Sequence, residues 1–252
     1  MTASPFSLDG RTALVTGANT GLGQGIALAL AQAGADIVAA GRRAPLQTQA
    51  ATEALGRRFH YIAADLESTA PIAGMLEQTL GKMGRLDILV NNAGTISRAE
   101  ALNVTEADWD RVINVDLKAA FFLAQAAARH MWVSGGGKII NVASMLSFQG
   151  GIRVPAYTAA KSGLAGITKA LANEWAKARI NVNAIAPGYF ATDNTQALRE
   201  DEVRSREIMA RIPAGRWGVP ADLGGAAVFL ASAASDYVHG AIIAVDGGWL
   251  AR

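Results

Sequence analysis

No cysteine occurs in the 252-residue chain. Its absence excludes a disulfide scaffold, a thiol nucleophile and a thiolate metal site, and it fits the reducing cytoplasm. Histidine is scarce, and His60, His130 and His239 are far apart in sequence. They read as structural, with no ligand cluster to argue for a metal. Charged residues make up only 17% of the chain, with a net charge of +2. The pairs Arg42-Arg43 and Arg57-Arg58 are local and form no basic face, so nucleic acid is not an expected partner. No apolar run approaches the roughly 18 residues of a membrane span. The segment 1–11 has no apolar stretch of the secretory-signal kind. The expectation is a cytoplasmic protein without a membrane partner.

Apolar residues, by contrast, reach 51% and glycines number 27. The first figure gives a core that needs no staples, in a chain whose length suits one α/β domain. The second points to tight turns and close backbone approaches. Short apolar runs at 12–15, 36–40, 59–63, 88–91, 138–142, 181–186 and 241–245 mostly lack alternation, as parallel strands covered on both faces do. Ala-rich helical stretches at 24–33, 72–83, 109–131, 156–178 and 221–231 lie between them. The alternation predicts βαβ units in a single-domain, doubly wound, seven-stranded parallel sheet over 1–252. Residues 187–220 break the rhythm with mixed polarity, and 188–220 reads as a substrate loop or lid.

The first strand runs into Thr16-Gly17-Ala18-Asn19-Thr20-Gly21-Leu22-Gly23 and then a helix. Such a turn brings backbone close to a pyrophosphate and points helix N–H groups at it. Gly17, Asn19, Thr20, Gly21, Leu22 and Gly23 are the candidate contacts. At the end of the second strand, Gly41-Arg42-Arg43 replaces the carboxylate that would accept from NAD ribose hydroxyls. Two guanidiniums there suit a 2′-phosphate, hence NADP(H).

Tyr157 and Lys161 are four residues apart in a predicted helix and share a face. A lysine beside a phenol lowers the phenol pKa and readies it for proton exchange with a carbonyl oxygen. Ser144, just past the fifth strand, is placed to bond the same oxygen. Asn114, in the middle helix, is assigned to hold a water and relay protons. Arg98, Gln149, Arg153 and Tyr189, with Thr195, Gln196 and Asn194 behind them, are candidate contacts for a polar or acidic substrate.

The segments 16–23, Asn91-Asn92-Ala93-Gly94, Pro187-Gly188 and the residues Asn114, Ser144, Tyr157 and Lys161 resemble the short-chain dehydrogenase/reductase family over essentially the whole chain. The resemblance implies a catalytic tetrad of Asn114, Ser144, Tyr157 and Lys161. It implies further cofactor contacts from Asp65 and Leu66, from Asn91, Asn92, Ala93 and Gly94, from Tyr157 and Lys161, and from Ile185, Pro187, Gly188 and Thr192. It also implies a homotetramer. Residues 138–155, 173–199 and 212–252 are similar to the branch of that family that interconverts 2-keto-3-deoxygluconate and its 5-keto form. That branch implies NAD(H), whereas Arg42-Arg43 favours NADP(H). Other readings are an NADPH-linked reductase of an alginate-derived keto uronate, a 3-oxoacyl-thioester reductase, and a nicotinamide-sensing protein without turnover.

Overall fold

Seven parallel strands are ordered β3-β2-β1-β4-β5-β6-β7 in the computed structural model, which describes residues 4–252. They are β1 (Thr12–Thr16), β2 (Asp36–Gly41), β3 (Phe59–Ala63), β4 (Ile88–Asn91), β5 (Gly137–Val142), β6 (Ile180–Pro187) and β7 (Ile242–Val245). The central strands β1, β4 and β6 are buried along their whole length. That burial is why their sequences are continuous apolar runs.

Helices α1 (Gly21–Gln32) and α9 (Gly224–Ala231) cover one face of the sheet, around Ile26, Leu30 and Leu230. Helices α3 (Ile72–Met83), α5 (Ala119–Ser134) and α6 (Pro155–Trp175) cover the other, around Met75, Leu123 and Leu171. The chain leaves β1 toward β2 on one side and returns through β4 on the other. The carboxyl ends of β1 and β4 therefore splay apart and open a crevice at the switch of direction.

The sequence reading and the structure differ at three places. The predicted middle helix is α4 (Glu106–Ile113), a π-turn (Asn114–Lys118) and α5 in succession. Helix α2 (Leu46–Ala54) was not read from the sequence; it buries Thr48 and Thr52 and leaves Leu46 exposed. The excursion after β6 carries α7 (Gln196–Glu200) and α8 (Glu202–Arg211). Its Ile208 and Ile212 pack with Met145 and Trp249, joined by Tyr189 and Trp217. Among the described residues, no helix is long and apolar enough to cross a membrane.

Candidate active site

The glycine turn lies at the mouth of the crevice. Gly17 has φ +67, a left-handed conformation, and a Cβ there would meet the Ala93 Cα at 3.1 Å. A Cβ on Gly23 would collide with the Gly17 carbonyl and the Asn92 amide. Side chains are thus excluded where backbone must come closest to a ligand. Thr20 caps α1 in an extended conformation without a side-chain hydrogen bond. The first-turn N–H groups of α1 are left to an anion. Asn19, Gly21 and Leu22 are partly buried in the same turn. These features fit the pyrophosphate of a dinucleotide.

Strand β4 locks this turn from the side. Asn92 donates its side-chain amide to the Thr16 carbonyl at 2.8 Å and to the Gly17 carbonyl at 3.2 Å. The Asn92 and Ala93 amides both donate to Thr16 Oγ1, at 3.0 and 2.9 Å. Thr48 of α2 donates to the Ala18 carbonyl at 2.7 Å and accepts from Gln24 at 3.1 Å. Asn91 is buried, donating to Asn141 at 2.9 Å and to the Ala120 carbonyl at 3.1 Å. Its role is to tie β4 to β5 and α5, and it does not line the cleft.

Gly41 ends β2 beside Gly17, and its carbonyl accepts from the Tyr61 hydroxyl at 2.9 Å. Arg42 and Arg43 follow, both exposed, and Arg42 pairs with Glu67 at 3.7 Å. Asp65 is exposed after β3 and caps its own turn, accepting from the Glu67 amide at 3.0 Å. The Leu66 side chain is buried in the core with Ile72 and Met75, so only its backbone is left for a cofactor. Ile185 is fully enclosed in the opposite core layer, which removes its expected side-chain contact. Pro187 ends β6, and the Gly188 amide donates to Val245 at 2.9 Å. Thr192 reaches back to the glycine turn, its Cγ2 within 3.4 Å of where a Gly21 Cβ would lie.

The chemical centre forms where β5 meets α6. Pro155 starts α6 with its fixed φ at the first helical position. The helix then places Tyr157 and Lys161 on one face, with Lys161 Nζ 5.5 Å from the Tyr157 ring centre. Lys161 is 4% exposed and donates to the Val142 carbonyl at 2.9 Å. Ser144 accepts from the Leu146 amide at 3.1 Å and is a hydrogen-bond partner of the Tyr157 phenol. Ser147 donates to the Lys161 carbonyl at 2.7 Å, stapling the segment after β5 to α6.

One expectation needs correction here. Tyr157 is not simply a lowered phenol. Burial pushes its pKa up, Lys161 pulls it down, Asp116 pushes it up again, and Ser144 and Arg98 pull it down; the result lies above the ordinary phenol value. The residue beside the lysine had no place in the sequence reading. Asp116, from the π-turn, is 1% exposed with its Oδ2 3.2 Å from Lys161 Nζ. Asn114 is only partly buried and is not the side chain that meets Lys161. The π-turn adds a residue to the helical turn and carries Asp116 into the interior.

The substrate candidates divide. Arg98 is exposed after β4, and its charge acts on the Tyr157 phenol. The Ala99 amide donates to the Arg153 carbonyl at 3.0 Å, joining the two arginine-bearing segments. Arg153 has φ +64, in the left-handed region. Gln149 accepts from Trp249 Nε1 at 3.4 Å. Tyr189 packs edge-on against Trp249 and Trp217, with ring centres 4.8 and 5.4 Å apart. Thr195 and Gln196 are used locally, in the cap at Thr192 and a bond to Glu200. The side chain of Asn194 lies outside the described residues. Among those described, no group of three metal-ligating side chains occurs. His239 contacts Asn181 at 3.3 Å, and a ring nitrogen of His60 is buried.

Sites of this construction, at the switch point of a doubly wound sheet, define Rossmann-type oxidoreductases. A family model described as enoyl-(acyl carrier protein) reductase matches residues 17–250, and the chain belongs to the short-chain dehydrogenase/reductase family. It is 62% identical, over the full length of both chains, to the 2-dehydro-3-deoxy-D-gluconate 5-dehydrogenase of Escherichia coli K12. A crystal structure from Agrobacterium tumefaciens with bound NADP is similar at 57% identity and a TM-score of 0.92, covering 99% of this chain and 100% of that one. The gluconate 5-dehydrogenase of Burkholderia cenocepacia J2315, in complex with NADP and tartrate, is 39% identical with a TM-score of 0.93 over 98% of both chains.

Proposed function

We propose that this chain interconverts a hydroxy and a keto sugar acid, 2-keto-3-deoxygluconate and its 5-keto form, with NADP(H) as the preferred cofactor. The observation that carries the acid class is Arg98. Its charge lies near enough to the Tyr157 phenol to act on it, and its segment is bonded to that of Arg153. A substrate carboxylate held at this mouth would leave its distal carbonyl near Tyr157. Guanidiniums suit carboxylates because they offer paired N–H donors. The full-length identity to the E. coli enzyme supports the particular substrate.

The dinucleotide would be held by the glycine turn and α1 at its pyrophosphate, by Arg42 and Arg43 at a 2′-phosphate, and by Asn92, Ala93, Gly94, Lys161, Pro187, Gly188 and Thr192 along the crevice. Asp65 and the Leu66 backbone would border its adenine. When bound, the nicotinamide supplies or accepts the hydride. Ser144 orients the carbonyl oxygen. Tyr157 donates a proton to that oxygen in reduction and takes it back in oxidation. Lys161 favours the phenolate form and keeps an N–H for a ribose hydroxyl. Support for NADP(H) comes from the exposed Arg42-Arg43 pair and the NADP-bound relatives.

Residues 188–220 serve as the substrate lid. They begin against the glycine turn at Thr192, and their apolar side packs on Met145, next to Ser144. The assembly is a cytoplasmic homotetramer built through the long helices, with Phe122 of α5 and Trp109 of the preceding α4 each 39% exposed. Sedimentation in solution tests that assignment.

Initial rates with both sugar acids, each with NAD(H) and NADP(H), test the activity. Turnover with kcat/KM higher for NADP(H) is the expected result. Turnover with NAD(H) alone keeps the substrate and overturns the cofactor assignment. Activity on acetoacetyl thioesters, with none on sugar acids, overturns the substrate class.

A further inference from the structure

Asp116 is the buried charged group that the reaction above does not use. Its carboxylate is locked from several directions. Oδ1 accepts from the Thr95 amide at 2.7 Å. Oδ2 is 3.2 Å from Lys161 Nζ and has no conventional hydrogen bond. Gly94 leaves room for it, since a Cβ there would come within 2.9 Å of Oδ2. The π-turn at Asn114–Lys118 aims it inward. The Lys161 ammonium is therefore held from two sides, by an N–H donated to the Val142 carbonyl and by the ion pair with Asp116.

A lone buried ammonium draws a neighbouring phenol toward phenolate. An ammonium in direct contact with a carboxylate acts on that phenol as a dipole, and its field falls off faster. The charged groups facing Tyr157 are Lys161 on its own helix, Asp116 from the π-turn and Arg98 after β4. Burial alone would lower the Lys161 pKa, and Asp116 followed by Tyr157 lifts it above the ordinary lysine value. The ion pair keeps the lysine charged while shielding that charge from the phenol.

We propose that Asp116 is a positioning residue that clamps Lys161 and, by countering its charge, keeps the proton on Tyr157, so that near neutral pH the site is set to reduce a carbonyl more readily than to oxidise an alcohol. The directional part rests on the proton-exchange role given to Tyr157 above; the charge coupling does not depend on the substrate.

The test uses Asp116→Asn, which keeps the shape and removes the charge. The first readout is tyrosinate absorbance of the cofactor-free protein during a pH titration, with the Tyr157→Phe background subtracted in each case. The Tyr157 midpoint should fall by about one pH unit or more in the variant. The second is the pH profile of alcohol oxidation, whose acidic limb should move to lower pH by the same amount. Asp116→Ser, which retains an acceptor for Thr95, takes its place if circular dichroism shows the asparagine variant unfolded. A midpoint that stays or rises in a folded variant overturns the proposal. A parental enzyme inactive on every sugar acid, with the midpoint still shifted, overturns the substrate reading and leaves the coupling in place.

Discussion

Tyr157 is governed by a balance of neighbours. Burial and Asp116 hold its proton on, while Lys161, Ser144 and Arg98 loosen it. Replacing it with phenylalanine removes the exchangeable proton and keeps the ring. Turnover of Tyr157→Phe should fall by about 10²–10⁴-fold, with NADP(H) affinity near parental in a fluorescence titration. Near-parental turnover would remove Tyr157 from the chemistry. The pairing of Tyr157 with Lys161 was legible because both sit in an unbroken α-helix, where a spacing of four defines a face. The partner of Lys161 was not. The sequence reading named no carboxylate beside Lys161, and Asp116 reaches it from the π-turn. A wider turn re-aims every side chain after its first residue, and nothing in Asn114-Val115-Asp116 announces the change of pitch.

Single carboxylates join separate elements. Asp87, just before β4, accepts from Arg85 at 2.6 Å through each oxygen, from Arg11 at 2.9 Å and from the Thr12 amide at 2.9 Å. It fastens the start of β1 to the start of β4, so the crevice at their far ends inherits its spacing from this joint. Burial pushes the Asp87 carboxyl up, but Arg85, the Thr12 amide and Arg11 outweigh it, and the pKa ends below the ordinary 3.8. A depressed folded pKa stabilises above the unfolded value and loses that contribution as pH falls through the folded one. Asp87→Asn should cost about 2 kcal/mol at neutral pH, with the gap to the parent closing as the medium is acidified below 3.8. Urea denaturation at neutral and acid pH measures both. The five inner strands were visible in the sequence because burial on both faces leaves an apolar run as its signature, and the less buried edge strands β3 and β7 carry short apolar runs as well. Helix α2 was hidden because it inverts the usual pattern, with Thr48 and Thr52 inside and Leu46 outside. Thr48 serves the glycine turn through its bond to the Ala18 carbonyl.

At the scale of the whole molecule, the excursion after β6 is bound at both ends to the cofactor side of the sheet. Thr192 meets the glycine turn, and Pro220 packs against Gly25 of α1. Arg216, within the excursion, grips Asp222 just beyond Pro220 at 2.7 and 2.9 Å and lowers that carboxyl to about 2. The break in rhythm at 187–220 was legible; its two short helices were not, because they bury little beyond Ile208 and face solvent with charge. The loop into α6 has a different consequence. Arg153 holds a left-handed backbone that a side-chain-bearing residue adopts at a cost of about 1 kcal/mol. Arg153→Gly would relieve that strain and delete the guanidinium proposed above to help hold the substrate carboxylate. The variant should melt about 1–3 °C higher in calorimetry while its KM for a sugar acid rises. Selection for heat resistance alone would therefore favour discarding this arginine. Its presence would mark a compromise in which durability is given up for capture of an anionic metabolite.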